Sequence, residues 1–181
     1  ETVHYGEKIE ISAGITILFK NAGHILGSCI LELMGDGKKL VYTSDLGNTP
    51  SLLLNPPEIV NTADVVICES TYGGRVHEDP AKRMQKLTDV INKTIANNGV
   101  LMIPSFAIER TQELLHDIDH FCSIEGCEKP VFYLDSPLAE RVTQVFRKYP
   151  EYLSGKIRET HRDNDFFGFS RVKMTTTVDD S

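Results

Sequence analysis

The first third of the chain reads as short apolar runs of strand length, broken by glycine. Lys8 to Ile11 and Ile15 to Lys20 are strand candidates separated by Ala13-Gly14. Ser28 to Met34 (Ser-Cys-Ile-Leu-Glu-Leu-Met) mixes β-branched and apolar residues, Gly35-Asp36-Gly37 supplies a turn, and Lys38 to Thr43 reads as the return strand. These runs predict an all-β opening section. Gly47-Asn48-Thr49-Pro50 and Asn55-Pro56-Pro57 then mark a long loop. Asp64 to Glu69 is a continuous apolar run closed by a carboxylate, the pattern of a strand buried on both faces.

Near residue 73 the pattern changes from a period of two to one of 3.6. Asp79-Pro80 is an N-cap followed by proline in the first helical position, and Met84, Leu87, Ile91 and Ile95 form an apolar face that Gly99 stops. Val100 to Ile103 reads as a strand, and Ile108, Leu115, Ile118 and Cys122 as the stripe of a second helix. Val131 to Leu134 is another buried strand. Ser136-Pro137 opens a third helix with Leu138, Val142, Val145 and Phe146 inward, and Arg171 to Thr177 is one more strand candidate. Strands alternating with helices imply crossovers and a parallel sheet. The expectation is an α/β chain in two parts, 1–72 and 73–181.

Composition narrows the class. The 181 residues are 40% hydrophobic and 25% charged, enough for a core, and no apolar run approaches the length of a membrane span. The N-terminus has no basic segment followed by an apolar one, so no secretory signal is expected. The chain also lacks an initiator Met, as a trimmed product or a piece of something longer would. Of the four cysteines, Cys29 and Cys68 fall inside predicted strands, and Cys122 and Cys127 have no second pair at zinc-knuckle spacing. A reducing, cytoplasmic protein is the expectation. The net charge of −7 argues against a nonspecific DNA-coating protein, though not against a nuclease with a small local site.

Chemistry gathers around Asn21-Ala22-Gly23-His24-Ile25-Leu26-Gly27-Ser28. A hairpin turning near Asp36 brings residues 28 and 43 together at its open end, with His24 just before one strand and Asp45 just after the other. An imidazole and a carboxylate 21 positions apart are thereby placed side by side, and both are natural ligands for zinc or manganese. Gly23, Gly27 and Gly47 let the backbone bend closely around a bound group. A plain hairpin with a surface His and a turn Asp accounts for the same residues.

Other candidates carry competing roles. Glu69 follows apolar strand residues, where a carboxylate is costly unless solvated, paired or used. Ser105 is placed as an N-cap, and free amides at that helix start, with Arg110 one turn in, would suit a phosphate. Arg110 could equally pair with Glu113 on the helix surface. His77 follows Arg75 in a Gly-Gly-Arg-Val-His loop and could reach a phosphate or simply be solvated. His116 and His120 share a helix face at a zinc-compatible spacing, but no adjacent Glu of the metalloprotease kind accompanies them.

Ala22-Gly23-His24-Ile25-Leu26-Gly27-Ser28, Ser44-Asp45-Leu46-Gly47, Glu69-Ser70-Thr71-Tyr72-Gly73, Pro104-Ser105-Phe106-Ala107 through Gln112-Glu113, and Leu134-Asp135-Ser136-Pro137-Leu138-Ala139 occur in that order. The series resembles successive motifs of the β-CASP branch of the metallo-β-lactamase superfamily. These are RNA-processing nucleases that include ribonuclease J-type enzymes and the pre-mRNA 3′-end cleavage subunit. The resemblance implies part of a metallo-β-lactamase ββ sandwich over 1–72 and a β-CASP-like α/β domain over 73–181. It makes His24 a zinc ligand, Asp45 a carboxylate bridging two zinc ions, and Glu69 a residue that orients or assists proton transfer. The implied chemistry is two-metal hydrolysis of a phosphodiester, with single-stranded RNA as partner and Ser105, Arg110 and His77 toward the substrate.

The chain departs from the family in lacking the upstream His-x-His-x-Asp-His motif and a convincing later His. The resemblance therefore implies a central portion of a larger enzyme, inactive by itself, with assembly as a homo-oligomer left open. The alternative is a non-catalytic RNA-binding or scaffold module that has lost its metal centre.

Overall fold

The computed structural model describes residues 2–125, 131–160 and 172–175. The chain divides into two compact units, one of Glu1–Gly73 with Glu151–Thr160, the other of Gly74–Pro150 with the strand Val172–Met174. In the first unit β1 (Lys8–Ser12), β2 (Ile15–Asn21), β3 (Cys29–Gly35) and β4 (Lys38–Tyr42) form an antiparallel meander, and β5 (Val65–Ile67) adds to β4 in parallel. Asp36 and Gly37 carry the β3–β4 turn at φ 50° and 69°. A two-residue turn with both φ positive matches the twist of the flanking strands, and Asp tolerates that conformation better than most residues. It fixes the register from Gly35 opposite Lys38 to Leu31 opposite Tyr42.

One face of the sheet buries Ala22, Ile30 and Val41, with Leu46 and Val60 packed against them. The same face buries a carboxylate. Glu32 lies opposite Val41 and is 3% exposed, held by Lys20 of β2 at 3.3 Å and Lys39 of β4 at 2.5 Å. The loop after β4 supplies a second cluster. Leu53 and Leu54 are buried with Leu153 and Ile157 of the returning segment, and Ser154 N donates to Leu53 O at 2.7 Å.

In the second unit Asp79 accepts a hydrogen bond from Ala81 N at 3.0 Å and caps the turn that leads into α1 (Arg83–Ala96). α2 (Arg110–Glu125), β6 (Phe132–Leu134), α3 (Pro137–Lys148) and β7 (Val172–Met174) follow, with β6 and β7 parallel. Ser136 caps α3 by accepting from Ala139 N at 3.2 Å, with Pro137 in the first turn. The α/β class with parallel pairing is as the sequence pattern implies.

Several details differ. Val65, Val66 and Ile67 are 52%, 59% and 49% exposed rather than covered on both faces, because β5 is the edge of the sheet. Residues 100–103 form no strand among the described residues, and Val100 and Met102 are exposed. The inward stripe of α3 is Ala139, Thr143 and Phe146, with Leu138 and Val145 about half exposed. The rotation has a polar cause. Gln112, fully buried on α2, donates from Nε2 to Thr143 Oγ1 at 3.0 Å, so a hydroxyl rather than an aliphatic side chain faces it. Cys127 lies outside the described residues.

Candidate active site

His24 sits on the loop between β2 and β3, whose shape follows from its own small residues. Gly23 and Gly27 take φ +64° and +89°, in the left-handed region that favours glycine. Ser28 closes the loop by accepting at Oγ from His24 N at 3.1 Å and Ile25 N at 3.2 Å, while Ser28 N donates to Ile25 O at 2.9 Å. Gly23 N donates to Asn21 Oδ1 at 2.9 Å. The His24 side chain is exposed.

Asp45 follows β4 at the same end of the sheet, and it too is exposed. Ser44 before it has φ 47°, a strained conformation for a residue with a Cβ, and its Oγ donates to Cys29 O at 2.7 Å. Gly47 N donates to Ala22 O at 2.8 Å. A Cβ built on Gly47 would lie 1.8 Å from Gly23 O and 2.8 Å from His24 N. The backbone after Asp45 therefore rests directly on the Gly23–His24 peptide, a closeness that glycine alone allows.

Glu69 fastens this arrangement from a third segment. Its Oε1 accepts from Leu46 N at 3.0 Å and its Oε2 from Thr71 N at 3.2 Å, while Glu69 N donates to Thr43 Oγ1 at 3.3 Å. The hydrogen bond from Leu46, followed by those from Thr71 and a weaker attraction from His24, holds the Glu69 carboxyl below the usual carboxylate range despite some desolvation. Glu69 is thus a clamp on the Asp45 loop and lies within electrostatic reach of His24. Glu69→Gln loses one of two acceptor oxygens. It is expected to speed amide exchange at Leu46 and Thr71 while leaving β2 and β3 amides unchanged, measurable by NMR.

The remaining candidates lie in the second unit. Ser105 and His77 are exposed. Ser105 does not cap α2, which begins at Arg110, because the chain first turns back through Glu109 at φ 62°. Arg110 N, Thr111 N and Glu113 N donate to Ile108 O, Phe106 O and Glu109 O, so these amides are already used by the turn. Ser105 Oγ instead accepts from Thr111 Oγ1 at 3.2 Å. Arg110 takes the pairing the sequence left open, reaching Glu113 at 2.6 Å, and Arg83 of α1 joins the same carboxylate at 3.3 Å and Asp117 at 2.6 Å.

A Beta-Casp domain model matches residues 111–181. The chain is 33% identical over 156 residues to a ribonuclease of Thermus thermophilus, covering 86% of this chain and 36% of the relative. It is 37% identical over 161 residues to an RNase J-like protein of Methanocaldococcus jannaschii, covering 87% and 38% respectively. An endoribonuclease of Eremothecium gossypii is 31% identical over 188 residues, covering 99% of this chain and 24% of its own length. The chain belongs to the β-CASP branch of the metallo-β-lactamase superfamily.

This β-CASP chain spans between about a quarter and two fifths of the length of these relatives. Among the described residues no group of three or more His, Cys, Asp or Glu side chains converges to hold a metal ion. His24 and Asp45 have the right donor chemistry, but Glu69 spends both oxygens on backbone amides. Two ligands do not make a stable zinc site. The described residues supply a partial donor set, and no catalytic step through a metal follows from them.

The supporting roles of Thr43, Ser44 and Tyr5 are not visible in the sequence. Ser44 stands beside Asp45 in the quoted motif, but its positive φ has no signal in residue type. Tyr5 donates from its hydroxyl to Ser28 O at 2.8 Å from 23 positions away.

Proposed function

We propose that this chain is the central portion of a zinc-dependent RNA-processing nuclease that hydrolyses phosphodiester bonds. In this reading His24 and Asp45 are two of the ligands of a two-zinc centre, Asp45 is the bridging carboxylate, and Glu69 acts by holding the Asp45 loop. Residues 1–72 are the partial metallo-β-lactamase part and 73–181 the β-CASP part. Single-stranded RNA is the substrate, and the cytoplasm the compartment. The observation that carries the reading is the backbone packing of Gly47 on the Gly23–His24 peptide, which brings together two motif loops whose His24 and Asp45 side chains are exposed. The names of the relatives, a ribonuclease and an endoribonuclease among them, support the same chemistry.

The test uses the full-length protein and a labelled single-stranded RNA. Cleavage is expected to stop on treatment with chelator and return with added zinc, and the 181-residue chain by itself is expected to cleave nothing under either condition. RNA binding by the full-length protein with no cleavage at any metal loading would favour the second reading, a non-catalytic RNA-binding or scaffold module. The one observation on its side is the incomplete donor set among the described residues.

For Arg110, Ser105 and His77 the proposed role is contact with the RNA backbone. Arg110 is 60% exposed and shares Glu113 with Arg83, so its guanidinium retains donors for a phosphate. Arg110→Ala is expected to weaken RNA binding by about 1 kcal/mol, evenly across sequences, because phosphate contacts position without reading bases. Glu113→Ala frees Arg110, while Arg83 keeps Asp117, and should strengthen binding slightly. Affinity that is unchanged in both variants would leave Arg110 as a surface pair.

A further inference from the structure

We propose that Tyr5 is a positioning residue for His24, acting from the N-terminal segment through the loop that carries the imidazole. The loop needs such a support because packing holds only one side of it, where the Gly23–His24 peptide meets Gly47, Asn55 and Pro57. Its Ile25, Leu26 and Gly27 side faces a cleft of about 210 Å³, whose other walls include Tyr5, Leu54 and Tyr152. Packing therefore does not fix the Ile25–Gly27 side of the loop, and hydrogen bonds do.

Those bonds converge on Ser28. Its Oγ accepts from His24 N and Ile25 N, and its carbonyl accepts from Ala22 N at 3.2 Å and from the Tyr5 hydroxyl at 2.8 Å. The Tyr5 ring is itself set by Tyr152, edge to face at a centroid distance of 5.9 Å. Tyr152 is fixed in turn by its neighbours in the chain. Leu153 is buried and bridges to Leu54, and Ser154 binds the Leu52 and Leu53 carbonyls. The path runs from the anchored 152–154 segment to the Tyr5 ring, from the Tyr5 hydroxyl to the Ser28 carbonyl, and from the Ser28 hydroxyl to the His24 amide. Burial pushes the Tyr5 phenol up to about 12, so the hydroxyl remains a donor across the working pH range.

The functional consequence rests on the reading of His24 given above, but the positioning role does not. The test is Tyr5→Phe in the full-length protein. This change keeps the ring against Tyr152 and removes only the donor. Amide exchange at His24 and Ile25 is expected to rise at least severalfold, with β2 and β3 amides and the melting temperature unchanged, and RNA cleavage to fall in kcat rather than rise in KM. Tyr152→Leu, which removes the ring contact from the other side, should raise exchange at the same two amides. Unchanged exchange at His24 and Ile25 in Tyr5→Phe, or a uniform rise across the sheet, would overturn the proposal. A local rise in exchange with unaltered cleavage would leave the positioning role standing and instead count against His24 as part of the reactive centre.

Discussion

On the nuclease reading proposed above, full-length protein carrying Gly47→Ala is expected to lose RNA cleavage by about a hundredfold or more while keeping its β3–β4 hairpin. The reason is steric. The new Cβ would lie 1.8 Å from Gly23 O, and real Cβ atoms essentially never come within 3.0 Å of such an atom. The obstructing atom is backbone, so no side chain can swing away. The two loops must separate by about 1 Å or more, and a displacement of that size between reacting groups costs on the order of a hundredfold in rate. Gly47 is not in the left-handed region, so alanine adds no conformational strain there. Gly27→Ala makes the opposite control. Gly27 has φ +89° but open space around its Cβ direction, so the change strains the backbone without driving the loops apart. Comparing kcat/KM and melting temperature in both variants separates the two effects. Gly47→Ala with near-normal turnover would show that the Asp45 and His24 loops need not touch.

The hairpin behind this prediction is legible in the sequence because its determinants are local. The sequence places a turn near Asp36, residues 28 and 43 at the open end, and His24 and Asp45 beyond them. The Asp36-Gly37 turn of the structure shifts the register so that Leu31 faces Tyr42 and Cys29 and Ser44 come next. The clamps are not legible, because they join residues through backbone atoms that residue type does not reveal. Glu69 stands out as a carboxylate after an apolar strand, but not as an acceptor for Leu46 N. Ser105 misleads for a similar reason. Its residue type suits a cap, yet Glu109 adopts a conformation uncommon for its type and delays α2 by a turn. The Val100–Ile103 run has the composition of a strand and finds no strand partner among the described residues. Apolar composition states a preference, whereas a strand requires a neighbour to satisfy its amides.

Glu32 tests the sheet that supports the site. Its carboxylate is nearly sealed beneath Lys20 and Lys39, and both lysines are themselves about four-fifths buried. Glu32→Gln keeps the size and some hydrogen bonding but leaves two ammonium groups without a counter-charge, so it is expected to cost about 3 kcal/mol of stability at neutral pH. Lys39→Met in the wild-type background should cost less, since Lys20 still answers the carboxylate. The pH dependence has a definite sign. Burial pushes the Glu32 carboxyl up, but the hydrogen bonds and charges of Lys39 and Lys20 outweigh it and hold the group below the ordinary carboxylate range. A depressed carboxyl contributes stability that is fully present above the unfolded-state pKa of about 4.3 and is lost as pH falls through the folded value. Both lysines stay charged throughout that window, so acid removes the pair from the glutamate side. Urea midpoints at pH 7 and pH 3 provide the measurement. Wild-type protein should lose its advantage over Glu32→Gln on acidification, because a protonated glutamate and the glutamine that replaces it present the lysines with equally neutral partners. An advantage as large at pH 3 as at pH 7 would mean the glutamate stabilises the sheet by packing and not by charge.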